Sequence, residues 1–149
     1  MNNKKKLKVI KGGLSLDNRG SLIYCNELDL SQFKRFYIVS NFNKNFIRAW
    51  HGHKKESKYA IVIEGTVMFC VVKVDDWRSP SKKNKVEKFI LSSQQPRALD
   101  IPCGYSHGFM TLTDNAKIIF FSDKTLNESI KDDFRLPYSY WDVWKIEQR

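Results

Sequence analysis

The chain has 149 residues, of which 42% are hydrophobic and 28% are charged, and its formal net charge is +10. This length suits one domain, spanning residues 1–149, with a core that buries roughly two-thirds of the unfolded surface. No apolar run approaches the ~18 residues of a membrane span, and residues 1–8 lack the apolar segment of a signal peptide. We therefore expect a cytoplasmic protein with no membrane contact. Its basic excess favours an anionic partner, which charge alone does not identify.

The predicted elements are nearly all β-strands. A short strand is predicted over residues 36–39, followed by strands over 59–64 and 66–74, which we predict to form a hairpin turning at Glu64-Gly65. Residues 75–88 break the apolar pattern and predict an exposed basic loop. Further strands are predicted over residues 89–91, 98–101, 109–112 and 117–122, each bounded by turn-forming residues. Many short strands with little helical periodicity predict an all-β sandwich or barrel.

The C-terminal tail carries aromatic residues that need a covering partner. We predict that Tyr138, Tyr140, Trp141 and Trp144 pack either against the strands or across a subunit interface. The cysteines are three in number, Cys25, Cys70 and Cys103, and their wide spacing predicts reduced thiols rather than disulfides. We expect Cys70 to be a core residue.

Three histidines are the most informative residues of the chain. His51 and His53 are two residues apart, so on a strand they point to the same face and can enter one cavity. The alternative is that they are unrelated polar residues at a strand edge. His107 favours the first interpretation, because it follows Pro102-Cys103-Gly104 in a second motif.

The order His51-Gly52-His53, Gly65, Pro102-Cys103-Gly104 and His107 resembles the motifs of the cupin superfamily. This resemblance implies an all-β cupin jelly-roll β-barrel with the histidines pointing into its mouth. Metal-binding cupins carry a Glu five residues after the second His, where this chain has Lys58, and an ammonium cannot ligate a metal. Glu56 is near, but its offset differs, and we expect it on the opposite strand face from Lys58. We therefore expect no metal and no other cofactor, and keep a metal-dependent cupin as an alternative.

Several segments resemble a narrower family, the cupins that rearrange nucleotide-activated keto-deoxysugars. Similarity to the dTDP-4-dehydrorhamnose 3,5-epimerases runs through most of the chain, in residues 17–22, 48–51, 76–81, 101–109 and 132–134. Similarity to the sugar-nucleotide 3,4-ketoisomerases is more local, in residues 33–37 and in 48–55. The second His, His53, is usually Gln in the epimerases. The chain thus mixes features of both groups.

The resemblance implies a reaction that begins with loss of a proton beside a ketone. It makes His51 the base and Asp133 its acidic partner, with Asp132 as the second choice. Lys58 would stabilise the enolate oxygen, and the alternative for Lys58 is a surface residue. The diphosphate would be bound by Arg19, Arg48 and Arg78, of which Arg19 would come from the neighbouring subunit of a homodimer. We also expect His107 and Tyr105 among the substrate-binding residues.

One departure from the epimerase pattern concerns the general acid. The epimerases carry a Tyr after their final core strand, and residues 120–126 contain no Tyr. This leaves epimerisation at one carbon, ketoisomerisation with His53 or Tyr37 as the proton carrier, or a changed acid. Tyr105 is a further candidate for that role.

The predicted function is epimerisation of a nucleotide-activated 4-keto-6-deoxysugar for a surface polysaccharide such as lipopolysaccharide. The alternatives are a dTDP-sugar 3,4-ketoisomerase, a metal-dependent cupin such as a dioxygenase, and a sugar-nucleotide-binding module without catalysis. We do not expect a nucleic acid partner, because no nucleic-acid-binding motif is present and the basic residues are dispersed.

Overall fold

The computed structural model describes residues 5–149, which fold almost entirely into short antiparallel strands. The strands are β1 (Lys8–Lys11), β2 (Gly13–Asp17), β3 (Gly20–Tyr24), β4 (Arg35–Asn41), β5 (Ile47–His53), β6 (Lys58–Glu64), β7 (Thr66–Lys73), β8 (Val86–Ser92), β9 (Arg97–Ile101), β10 (Tyr105–Thr111), β11 (Ala116–Ser122) and β12 (Phe134–Arg135). A short helix, α1 (Leu126–Ile130), follows β11.

Two five-stranded sheets form the body of the protein. Sheet I has the order β1-β9-β6-β11-β4, and sheet II has the order β12-β5-β10-β7-β8. The β2–β3 hairpin is a separate two-stranded sheet. The predicted all-β jelly roll is therefore confirmed, but the two sheets do not close into a barrel, because no strand of one continues the hydrogen-bonded order of the other within residues 5–149.

The core lies between the two sheets. Phe69 on β7 and Phe109 on β10 meet Phe120 on β11, with ring centroids 5.4 to 6.2 Å apart. All three are buried, and each such side chain contributes about 1.5–3 kcal/mol by leaving water. Phe109 and Phe120 also line a pocket that opens between the sheets.

The hairpin predicted at Glu64-Gly65 is wrong, although both of its strands exist. β6 pairs with β9 and β11 in sheet I, whereas β7 pairs with β8 and β10 in sheet II. Gly65 has φ +77°, a left-handed conformation that glycine adopts at little cost, and here it carries the chain from one sheet to the other. Nearly all of β7 is buried, so β7 covers sheet I instead of extending it.

The aromatic tail packs against sheet II, which is the first of the two predicted arrangements. The ring of Trp50 on β5 lies 5.2 Å from Trp141 and 5.1 Å from Trp144, and all three are buried. Because side chains alternate along a strand, this cover on Trp50 leaves its neighbour His51 facing the space between the sheets. Cys70 is buried in the same cluster, as predicted. No helix within residues 5–149 has the length and apolarity needed to cross a membrane.

Candidate active site

A pocket of about 340 Å³ opens between the two sheets, within the size range of small-molecule sites. It brings together seven of the residues predicted from the sequence: Tyr37, Arg48, His51, His53, Lys58, His107 and Asp133. The remaining lining residues are Arg35, Val39, Phe109, Phe120, Leu126, Ser129, Ile130 and Arg135.

Strands β5 and β10 place two histidines side by side. His51 and His107 are cross-strand partners, and their ring centroids are 6.1 Å apart. Gly52, between the two β5 histidines, faces the other way, where a Cβ atom would collide with the ring of Trp77. The alternation therefore sends His51 and His53 into the pocket, as the spacing predicts.

The pocket keeps its histidines neutral. Burial, followed by the positive charges of Arg135 and Lys58, lowers the pKa of His51 to about 4. Burial also lowers the pKa of His107 well below its ordinary value, with Lys58 and the other two histidines adding to the effect. A neutral imidazole can accept a proton, so His51 is chemically suited to act as a base at neutral pH.

The two adjacent aspartates differ in their environment. Asp133 lines the pocket, accepts a 2.8 Å hydrogen bond from Arg135 Nε, and its charge acts to raise the pKa of His51. The carboxylate of Asp132 instead accepts backbone N–H bonds from Lys54, Lys55 and Glu56, at 2.8 to 3.1 Å. Asp132 thus fixes the loop after β5, and Asp133 is the carboxylate available to His51.

His53 has both ring nitrogens occupied. Nδ1 lies 2.9 Å from the backbone carbonyl of Asp132, which only accepts, so Nδ1 carries the proton and donates. Nε2 then accepts from the Lys58 ammonium at 3.1 Å. Burial and the charge of Lys58 lower the pKa of His53, while Glu56 acts in the opposite direction. Lys58 is buried, so the surface alternative for this residue is wrong.

Glu56 is the functional-site residue that sequence reasoning misplaced. It lies in the loop before β6, not on the strand, and its carboxylate points to the same cluster as Lys58 instead of the opposite face. Its oxygens lie 3.0 Å from His53 Nδ1 and 3.7 Å from Lys58 Nζ. The expected opposite face was wrong on two counts: residues two apart on a strand share a face, and Glu56 lies in a loop, where the strand period does not apply.

Sheet I contributes the wall opposite the β5 histidines. The Tyr37 ring on β4 stacks on Phe120 with centroids 5.1 Å apart, and Lys58 Nζ lies 5.6 Å from its centroid. Arg35, from the same strand, donates to the carbonyl of Lys124 at 3.1 Å and approaches Glu56 at 3.4 Å. Tyr37 and His51 therefore stand on opposite sheets with the pocket between them.

Three predicted site residues do not line this pocket. Arg19 lies at the turn of the β2–β3 hairpin, paired with Asp17 at 2.6 Å. Arg78 is exposed in the loop after β7, and Tyr105 packs against the core. Arg35 and Arg135 line the pocket instead. One signal in the sequence pointed to Arg135, namely its position two residues after Asp133.

The donor set does not suit a metal ion. In residues 5–149, no group of three or more His, Cys, Asp or Glu side chains converges in a way that could hold one. The ammonium of Lys58 occupies Nε2 of His53, and an ammonium cannot ligate a metal ion.

Comparison with known proteins gives the family. The family model described as dTDP-4-dehydrorhamnose 3,5-epimerase matches residues 8–136, nearly the whole chain. No curated protein sequence matches significantly. The solved structures that resemble the chain share its fold at low sequence identity.

Three of these solved structures are two epimerases and a ketoisomerase. A dTDP-4-dehydrorhamnose 3,5-epimerase from Bacillus anthracis, with TDP and PPi bound, is 20% identical, with 93% of this chain and 82% of that one aligned and a TM-score of 0.74. A 3,4-ketoisomerase from Helicobacter canadensis is 20% identical, with 93% and 96% aligned and a TM-score of 0.67. The 3'-monoepimerase ChmJ from Streptomyces bikiniensis is 14% identical, with 91% and 72% aligned and a TM-score of 0.73. With the family model covering residues 8–136, the chain belongs to the dTDP-4-dehydrorhamnose 3,5-epimerase family.

Proposed function

We propose that this protein epimerises a nucleotide-activated 4-keto-6-deoxysugar and that His51 is the base. The observation that carries the proposal is a neutral imidazole and a carboxylate, His51 and Asp133, in a pocket that also holds the buried Lys58 ammonium. Proton removal beside a ketone needs a base that is unprotonated at working pH, and a fixed positive charge stabilises the oxygen that becomes negative.

The chemistry follows from the positions of these groups. His51 takes the proton from the carbon next to the ketone, and Asp133 stabilises the imidazolium that forms. Lys58 faces the ketone oxygen and stabilises the enolate. Tyr37 stands on the opposite sheet and returns a proton to the other face of the sugar ring, which inverts the carbon. His107 packs beside the ring, and no cofactor is required for this sequence of proton transfers.

Arginines that line the pocket supply positive charge for the phosphates of the substrate. Arg35, Arg48 and Arg135 line it, and Arg48 is oriented by a 2.7 Å hydrogen bond from its Nε to Asn41 Oδ1. Arginine pairs with phosphate oxygens through two parallel hydrogen bonds, which suits a nucleotide diphosphate. Arg78 and Tyr105 lie outside this pocket, so we assign them a peripheral contribution at most.

A second copy of the chain completes the site in this proposal. The β2–β3 hairpin forms a sheet of its own and exposes Leu16 (77%) and Leu22 (62%) to solvent. An isolated hairpin is marginally stable in water, so a homodimer in which this hairpin packs on the neighbouring subunit would stabilise it. Arg19, at its tip, would then reach the neighbour's diphosphate.

A 3,4-ketoisomerase is the second candidate. The segment after β11 lacks the Tyr that the epimerase resemblance requires there, and residues 33–37 and 48–55 resemble the ketoisomerases. Both reactions begin with the same proton removal by His51.

The deciding experiment is NMR of dTDP- and GDP-linked 4-keto-6-deoxysugars incubated with the protein in deuterated water. Deuterium entry at a ring carbon with inversion supports the epimerase, and movement of the carbonyl to C3 supports the ketoisomerase. Absence of exchange with every sugar tested would leave a binding module. We place the reaction in cytoplasmic synthesis of a surface-polysaccharide sugar.

A further inference from the structure

The Glu56 carboxylate is fully buried, with a side-chain exposure of 0%, and it is surrounded by hydrogen-bond donors. Ser122 Oγ and Ser129 Oγ donate to its two oxygens, the second at 2.7 Å. His53 Nδ1 lies 3.0 Å away, Arg35 Nη2 3.4 Å and Lys58 Nζ 3.7 Å. Burying a carboxylate without compensation is costly, so this set of partners indicates a built arrangement.

We propose that Glu56 is a positioning residue that keeps Lys58 charged and aimed at the ketone oxygen. The inference rests on the proposed function, because it assigns Glu56 a role in the same proton-transfer site. A lysine in a dry pocket tends to lose its proton unless a negative charge lies near it. Glu56 is the buried carboxylate in contact with Lys58 and also contacts His53, so one side chain holds both neighbours.

The hydrogen bonds of His53 fix which of its ring nitrogens donates and which accepts. His53 Nδ1–H donates to the carbonyl of Asp132, with a Glu56 oxygen 3.0 Å from the same nitrogen, so Nε2 has only its lone pair to offer Lys58. Lys58 thus makes one bond to a neutral acceptor, stands near one negative charge, and keeps its other N–H groups for the pocket. Burial alone would raise the pKa of Glu56, but Lys58, the two serines and His53 outweigh it and bring that pKa below its ordinary value.

The contacts also tie the site to the short helix that closes it. Ser129 lies on α1, and Ser122 ends β11, so Glu56 joins the loop before β6 to both elements. Leu126, Ser129 and Ile130 of α1 line the pocket. Glu56 therefore sets the position of one pocket wall as well as the charge of Lys58.

The test compares two substitutions with different predictions. Glu56→Gln keeps size but removes the charge, and its amide nitrogen must face a donor whichever way it is turned. Glu56→Asp keeps the charge with a shorter side chain. The other charged or titratable groups that line the pocket with Lys58 are left unchanged by both variants: Arg35, Tyr37, Arg48, His51, His53, His107, Asp133 and Arg135.

We expect the alkaline limb of the kcat profile to move about 1–3 pH units lower in Glu56→Gln, because the ammonium loses its negative neighbour. Glu56→Asp should keep the limb at the wild-type pH even if its kcat is lower. Glu64→Gln, which removes an exposed carboxylate paired with Lys117 at 2.6 Å, is the matched control and should resemble wild type.

The outcomes separate this inference from the proposed function. Wild-type protein that exchanges deuterium, with the Glu56→Gln profile unshifted, overturns the role of Glu56 and leaves the function standing. A profile shifted equally by Glu56→Asp and Glu56→Gln also overturns it, since packing would then be the cause. If Glu56→Gln does not fold, 15N NMR of Lys58 Nζ in wild type and Glu56→Asp replaces the kinetic comparison. An ammonium resonance lost below neutral pH in wild type would contradict the proposal.

Discussion

Lys58 Nζ lies 3.1 Å from Nε2 of His53, so the second histidine of the motif accepts a hydrogen bond instead of presenting a free nitrogen to the pocket. This contact distinguishes the two β5 histidines chemically. His51 is left as the imidazole that can take a proton from a substrate, and His53 orients the cation next to it.

Replacing His51 should abolish the chemistry and leave the fold. His51→Gln removes the base, and we expect deuterium exchange at the sugar carbons to fall at least 100-fold, within the range of general-base contributions. Circular dichroism and the thermal midpoint should stay close to wild type, because the ring lies at the pocket surface. Exchange near the wild-type rate would contradict the assignment of the base.

Lys58 should matter for turnover more than for binding. Lys58→Met keeps the length of the buried stem but removes the charge, so we expect kcat to fall about 10²–10³-fold, as for loss of an enolate-stabilising donor. Binding of dTDP, measured by calorimetry, should change little. A kcat equal to wild type would show that Lys58 does not face the developing charge.

Tyr37 should separate proton removal from proton return. Tyr37→Phe keeps the ring that stacks on Phe120, so the pocket wall stays in place. If Tyr37 is the acid on the opposite face, this variant still exchanges deuterium through His51 but returns it to the original face, without inversion. Inversion at the wild-type rate would assign the acid to another group.

The histidines should make stability depend on pH. In the folded protein the pKa of His51 is lowered from 6.5 to about 4, and those of His53 and His107 are lowered as well. Between these values the unfolded chain binds more protons, so stability is fully present above about pH 6.5 and is lost as the pH falls toward 4.

Thermal midpoints measured from pH 7.5 to 4.5 check this slope. His51→Gln should flatten it in part and leave the share of the other two histidines. The same shift predicts an acid limb of kcat/KM near pH 4 instead of near 6.5. A midpoint that is constant across this range would contradict the buried neutral state of the histidines.

Substitutions in the exposed β2–β3 hairpin should test whether the protein forms the proposed dimer. Leu16→Asp places a charge on the β2–β3 hairpin, and we expect the protein to elute as a monomer in size-exclusion chromatography with light scattering. Its affinity for dTDP should fall along with that of Arg19→Gln. Ile90→Asp, at an apolar side chain on β8 that is 53% exposed, is the control and should remain dimeric. A wild-type monomer at micromolar concentration would remove the basis for Arg19 as a partner-supplied ligand.

The sequence contained most of the strand positions but not their pairing. Every predicted strand lies within or overlaps an observed one, because buried strands leave short apolar runs bounded by turn residues. The pairing of β6 with β9 and β11 depends on contacts between distant segments, which a local pattern does not encode. The turn at Gly65 has the same local sequence whether it joins neighbouring strands of one sheet or connects strands of two different sheets.

The strands β1, β2 and β3 were missed for a related reason. Their apolar residues stand in short runs among Lys, Gly, Ser and Asp, and most of their side chains are exposed, so the longer apolar runs of core strands are missing. In the site, the motif residues were found because their spacing is fixed, whereas Glu56 and Arg35 enter through loop geometry and sheet stacking. Neither loop geometry nor sheet stacking produces a periodic pattern in the sequence.

The last strand has a consequence for how the protein is made. β12 pairs Arg135 with His51, and it brings Asp133 to the pocket from the far end of the chain. A ribosome that has released residues 1–120 has already produced every histidine, yet the emerging chain lacks the carboxylate and the tail that covers Trp50. Catalytic competence should therefore appear only after the residues from 133 to the tryptophans that cover Trp50 have been synthesised, and truncation before residue 133 should yield protein that cannot turn over substrate.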